Sequence, residues 1–209
     1  MTQPSAARDD TRTTVHLVRH GEVHNPNKLL YGRMPGYHLS SRGRSMAART
    51  AQFFAGRDVT YLAASPLERA QETAQPIAAV TGLAVHTRGD IIEAGNTFEG
   101  LRTKGVRTQL ANPIRWRHMT NPLLPSWGEP YEEILTRMRG AVLDAAAQAA
   151  GHEAVMVSHQ LPIVMVQRFV QGKPLAHVSR ECDLASVTSL VLDGDDVVDW
   201  AYATPAQEI

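Results

Sequence analysis

The sequence predicts an α/β domain built on a parallel sheet, and three observations carry that expectation. Short β-rich apolar segments end in turns at Arg19-His20-Gly21, at Ser65-Pro66 and at His159-Gln160-Leu161-Pro162, and each is followed by a helix-period segment, the first after a loop. Such strand-to-helix turns are the joints of βαβ architecture. Glu153–Ser158, EAVMVS, is nearly continuous in apolar residues, as a parallel strand covered on both faces should be. Finally, 209 residues at 43% hydrophobic and 20% charged content suit one soluble domain with a sizeable core.

In chain order, residues 1–13, MTQPSAARDDTRT, lack the apolar core of a signal peptide and read as a polar, disordered arm. A single domain is expected over 14–209. Val15, Leu17 and Val18 mark the first strand, which ends at Arg19-His20, and Gly21 permits a sharp turn and a close approach to a ligand. Pro and Gly density from Pro26 to Gly36 marks a loop. Ser40 or Ser41 caps a helix with Met46, Ala47, Thr50, Ala51 and Phe54 on its apolar face, stopped by Gly56.

Val59–Ala64 is the second strand. Ser65 is expected as an N-cap, Pro66 as the first helical residue, and Glu68 as the partner of Ser65 in a capping box. Arg69 then falls in the first turn and projects over the same sheet edge as His20. Pro76 interrupts this helix pattern, Gly82 ends it, and Leu83–His86 reads as a brief third strand.

Residues 101–130 are irregular and basic (Arg102, Lys104, Arg107, Arg115, Arg117, His118) and are expected to form a lid over the site. Helical periodicity from Pro130 to Ala150 precedes Glu153–Ser158, and a further helix runs from His159 to Gly172. Ser186–Leu192 and Val197–Tyr202 form a hairpin around Asp193-Gly194-Asp195-Asp196.

The segments Arg19-His20-Gly21-Glu22 and Ser65-Pro66-Leu67-Glu68-Arg69-Ala70-Gln71-Glu72-Thr73-Ala74, with His159 after a strand, resemble the histidine phosphatase family, also called phosphoglycerate-mutase-like. The likeness runs from Thr14 to about residue 200 and is specific in these three blocks. It implies a three-layer α/β/α fold with a mostly parallel sheet and one antiparallel strand near the end. It also implies His20 as the nucleophile, transiently phosphorylated, with His159 as the second active-site histidine. Glu93 is implied as proton donor, with Glu99-Gly100 as the family's downstream pair. Asn25 stands one position before the family's phosphate-contacting Asn. The family's usual Asp ahead of the first helix is missing, with Pro35 and Gly36 in its place.

Phosphoryl transfer requires fixed positive donors around three equatorial oxygens and an in-line nucleophile. Arg19 and Arg69 supply planar forks, and His159, Asn25 and Gln160 supply further contacts. His20 attacks as neutral imidazole, one nitrogen held by a hydrogen bond and its pKa depressed by the cations. Glu93 protonates the leaving oxygen and then activates water. Neither metal nor cofactor is expected, because the arginines carry the charge.

A mutase would use the same site but return the phosphoryl group to substrate. Mutases carry a Glu-Arg-His-Tyr-Gly segment around the acid, whereas this chain reads Glu93-Ala94-Gly95-Asn96-Thr97, which favours hydrolysis. A binding module for phosphorylated ligands is the other alternative, and it would need no acid. Histidine spacing at His16, His20 and His24 suits a metal only on a helix, and no HExxH, Walker or GxSxG motif exists. With Lys+Arg and Asp+Glu both at 21, the expected partner is a small phosphorylated metabolite, not nucleic acid or membrane; a homodimer stays open. The lone Cys182 and the absence of a long apolar run point to the cytoplasm.

Overall fold

The computed structural model describes residues 12–96, 99–101, 128–176 and 181–209. Most of the expected polar arm and residues 102–127 of the expected lid lie outside the described residues. The elements are β1 (Thr13–Arg19), α1 (Ser41–Phe53), β2 (Val59–Ala64), α2 (Glu68–Thr81), β3 (His86–Thr87), a 3-10 turn (Gly89–Ile91), α3 (Tyr131–Gln148), β4 (Glu153–Ser158), α4 (Gln160–Val170), β5 (Val187–Asp193) and β6 (Asp196–Ala203).

The strands form one sheet in the order β3-β2-β4-β1-β5-β6. β1, β4, β2 and β3 pair in parallel, while β5 is antiparallel to β1 and to β6. Among the described strands only β5 runs against the rest, as the resemblance implied. Alternation along the central strands divides the core. Val15, Leu17, Ala154 and Met156 pack with α3 and α4, whereas Val18, Val155 and Val157 pack with α1 and α2. The sheet is thus covered on both faces, giving three layers.

The central pair positions the site. β1 and β4 are in register, with Arg19 opposite Ser158, and the His20 N–H donates to the Ser158 carbonyl at 3.1 Å. The residues following each strand, His20 and His159, therefore emerge side by side at the carboxyl edge.

Several local expectations change. Ser40 is the N-cap of α1, accepting from the Gly43 N–H at 2.9 Å. Ser65, by contrast, caps nothing: α2 starts at Glu68 with Leu67 as N-cap and no side-chain cap. The Ser65 hydroxyl is turned to His159, and the Glu68 carboxylate accepts instead from the Gly36 N–H at 2.9 Å. Pro66 is therefore outside the helix. Pro76 lies within an unbroken α2, where Gly82 at φ +74° supplies the C-cap. The third strand is only His86–Thr87, because β2 offers just Ala63 and Ala64 to pair with it.

Gly21 serves packing. A Cβ there would sit 2.5 Å from the Gly43 carbonyl oxygen, and a Cβ on Gly43 would sit 1.9 Å from that of Glu22. The two glycines let α1 press against the chain leaving β1. The close approach expected of Gly21 is thus to protein backbone.

Candidate active site

His20 is 2% exposed at the tip of β1. Its Nδ1 lies 2.8 Å from the Gly21 carbonyl, which can only accept, so Nδ1 carries the proton and Nε2 presents a lone pair. Burial, and then the guanidinium groups of Arg69 and Arg19, hold its pKa well below the ordinary histidine value. The backbone thus selects the tautomer, and burial and cations keep the ring neutral.

His159 faces it, with ring centroids 5.2 Å apart. Its Nε2 lies 2.7 Å from the Ser65 hydroxyl, which also accepts from the Leu67 N–H at 3.4 Å. The Ser65 hydroxyl keeps a second lone pair and its own proton, so it can accept from or donate to Nε2; the donating hydroxyl is the arrangement that goes with a ring proton on His159 Nδ1. Burial, then the neighbouring His20 and Arg69, depress the pKa of His159 too.

Arg69 is wholly buried in the first turn of α2. Its guanidinium lies 4.8 Å over the centre of the Tyr31 ring, and Nη2 donates to the Gly32 carbonyl at 2.6 Å. Arg19 donates through Nη1 to the Cys182 carbonyl at 2.5 Å. Burial pushes the Cys182 thiol itself up to about 11.

Arg19 Nε, Arg69 Nε and Nη1, and His159 Nδ1 are buried with no protein partner. Buried polar nitrogens are normally paired, so four unpartnered ones beside a neutral imidazole are a chemistry that could take up an oxyanion.

A cavity of about 420 Å³ opens here, with Arg19, His20, Asn25, Glu93 and Gln160 in its wall. Arg69 and His159 are not among the residues that line it. Glu93 accepts from its neighbour Ala94 N–H at 2.9 Å. Asn25 closes a loop, donating from Nδ2 to the Leu29 carbonyl at 2.9 Å and accepting from the Leu29 N–H at 3.1 Å. Gln160 reaches the Cys182 carbonyl that also holds Arg19.

Sequence reasoning missed Tyr31, Gly32, Ser65 and Lys28. Tyr31 and Gly32 brace Arg69, Ser65 orients His159, and Lys28, at φ +50°, lines the cavity. Only Ser65 carried a signal, its place beside a strand end, and the capping reading absorbed it.

His16 and His24 do not join His20. His16 is buried inside the sheet face, within 2.8 Å of the Ser189 hydroxyl and 3.1 Å of Glu153, and His24 is exposed in the loop. Among the described residues no cluster of His, Cys, Asp or Glu is arranged to hold a metal ion, and no helix is long and apolar enough to cross a membrane.

The sequence profile of the histidine phosphatase superfamily (branch 1) matches residues 15–201. An uncharacterized protein of Mycobacterium tuberculosis is 53% identical over 93% of this chain and 97% of its own length. A probable phosphoglycerate mutase of Yersinia enterocolitica is 30% identical, covering 81% of this chain and 80% of its own. Among solved structures, a mycobacterial glucosyl-3-phosphoglycerate phosphatase superposes with a TM-score of 0.74 at 23% identity, over 92% of this chain and 98% of that one. That likeness is one of fold.

Proposed function

Because this chain belongs to branch 1 of the histidine phosphatase superfamily, we propose that it hydrolyses a small phosphate monoester through a phosphohistidine on His20. The observation that carries the proposal is the His20 ring, neutral and with Nε2 bare, among four buried nitrogens without protein partners.

In the first half-reaction, His20 Nε2 donates its electron pair to phosphorus as the ester P–O bond breaks. Glu93, protonated, gives its proton to the departing alkoxide. Arg19, Arg69 and the Nδ1–H of His159 receive the equatorial oxygens, where charge develops. In the second half, Glu93 takes a proton from water, water oxygen attacks phosphorus, and the bond to Nε2 breaks. Phosphate leaves, and His20 and protonated Glu93 are restored. Asn25 and Gln160, which line the same cavity, are the further substrate contacts in this scheme. The guanidinium groups supply the charge neutralisation that a metal ion supplies elsewhere.

A mutase reading has one observation in its favour, the likeness to a probable phosphoglycerate mutase. The two readings differ in acceptor. Release of inorganic phosphate at the rate of substrate loss supports hydrolysis; phosphoryl return to substrate without phosphate release supports the mutase. A module that only binds phosphorylated ligands would turn over neither.

A further inference from the structure

We propose that Glu129 is a positioning residue for Glu93, acting through Arg33 and Arg137; this rests on the acid role given to Glu93 above. The Glu129 carboxylate accepts from Arg33 Nη2 at 2.7 Å, from Arg137 Nε at 2.7 Å and from Arg137 Nη2 at 3.1 Å. Each arginine spends another N–H on the segment that carries the acid. Arg33 Nε donates to the Glu93 carbonyl at 2.6 Å, and Arg137 Nη1 donates to the Asp90 carbonyl at 2.6 Å. Glu129 also closes on the segment directly. Its carboxylate accepts from the Gly95 N–H at 3.4 Å, and its own N–H donates to the Gly95 carbonyl at 3.1 Å.

The backbone on both sides of Glu93 is therefore held from one carboxylate. Gly128 permits the approach, since a Cβ there would sit 2.6 Å from the Gly95 carbonyl oxygen. Burial raises the Glu129 pKa, but hydrogen bonding and charge from Arg137, the Gly95 N–H and the charge of Arg33 outweigh it and hold the group ionised. Its charge suits the geometry: among the described residues Glu129 is the carboxylate that ion-pairs with both Arg33 and Arg137, and neutralising it would take that shared counter-ion from two guanidinium groups.

Arg33 also follows Gly32, whose carbonyl accepts from Arg69. Adjacent residues of one loop thus brace the phosphate-side cation and the acid's backbone. A proton donor works only within hydrogen-bond reach of the leaving oxygen, and loops hold such geometry poorly without support. The Glu129 hub supplies that support.

The test compares Glu129→Gln and Glu129→Ala with Glu93→Gln and wild type on nitrophenyl phosphate and on an alkyl phosphate. An activated aryl ester barely needs a proton donor, so loss of the acid raises the ratio of aryl to alkyl kcat. Glu93→Gln should raise it steeply, because general acid catalysis is worth ~10²–10⁴-fold. Glu129→Ala should raise it on the order of tenfold, a fraction of that same range, with Glu129→Gln in between. Vanadate inhibition and the thermal midpoint of Glu129→Gln report whether the phosphate site and the fold persist. Equal losses on both esters in the Glu129 variants, with the ratio moved only by Glu93→Gln, would overturn the positioning role and leave the acid intact. A ratio unmoved by Glu93→Gln would overturn the acid role and the positioning role with it.

Discussion

His20 and His159 face each other at 5.2 Å between ring centroids, inclined by 60°, from the tips of two adjacent parallel strands. Neither ring can take a proton cheaply: each is buried, each is next to Arg69, and each is next to the other. Both folded pKa values lie well below the ordinary histidine value of about 6.5. As pH falls through 6.5, the unfolded chain takes up protons at these positions and the native state does not, so both residues make acidification destabilising. In histidine NMR spectra their ring signals should stay at neutral positions as pH falls through the ordinary histidine range. Midpoints for His20 and His159 at or above the ordinary value would contradict the electrostatic account.

Arg69 is tested by exchange for Ala and for Lys. Alanine removes two unpartnered nitrogens from the site and leaves the Gly32 carbonyl unpaired. Removing one donor of this kind typically costs ~10²–10³ in rate. kcat/KM and vanadate affinity should fall together, because the guanidinium serves ground and transition states alike. Lysine should recover little, since a point charge cannot reach Gly32 and the site at once. Wild-type vanadate affinity in Arg69→Ala would remove Arg69 from the site.

Much of this site was legible in the sequence. Arg19, His20, Arg69 and His159 each stand beside a strand end followed by a helix, and in a parallel sheet those ends share one edge. Their local motifs therefore fixed their common location. What could not be read were contacts made across long sequence separations by residues with no motif. Tyr31 meets Arg69 and Glu129 meets Arg33 only because the fold brings loops together. Ser65 was misread for a related reason: its local pattern satisfied a capping rule, but a histidine 94 positions away claimed its hydroxyl. Tertiary demand outweighed local preference there.

Two glycines separate packing from backbone preference. Gly21→Ala would drive a Cβ to 2.5 Å from the Gly43 carbonyl oxygen, so backbone must move, at a cost typical of overpacking, ~1–3 kcal/mol. Gly140 sits exposed inside α3, with nothing within 4 Å of an added Cβ. Gly140→Ala should stabilise by roughly 0.5–1 kcal/mol through helix propensity. Denaturant unfolding of both variants should give opposite signs; equal signs would refute the contact ascribed to Gly21.

Metal dependence follows from the charge inventory. If Arg19 and Arg69 neutralise the transferring phosphoryl group, turnover of nitrophenyl phosphate should persist after exhaustive chelation. Activity lost to chelator and restored by one divalent ion would transfer that role to a metal.

The central claim is that His20 becomes bonded to phosphorus, and covalent trapping tests it most directly. Protein mixed with nitrophenyl phosphate is quenched in alkali within the first turnover and digested, and the peptide containing His20 is read by mass spectrometry. The account predicts one acid-labile phosphoryl group on that peptide, appearing with a burst of nitrophenol, and neither adduct nor turnover in His20→Ala. Wild-type turnover in His20→Ala, or a burst in the wild-type protein with no adduct on His20, would contradict it.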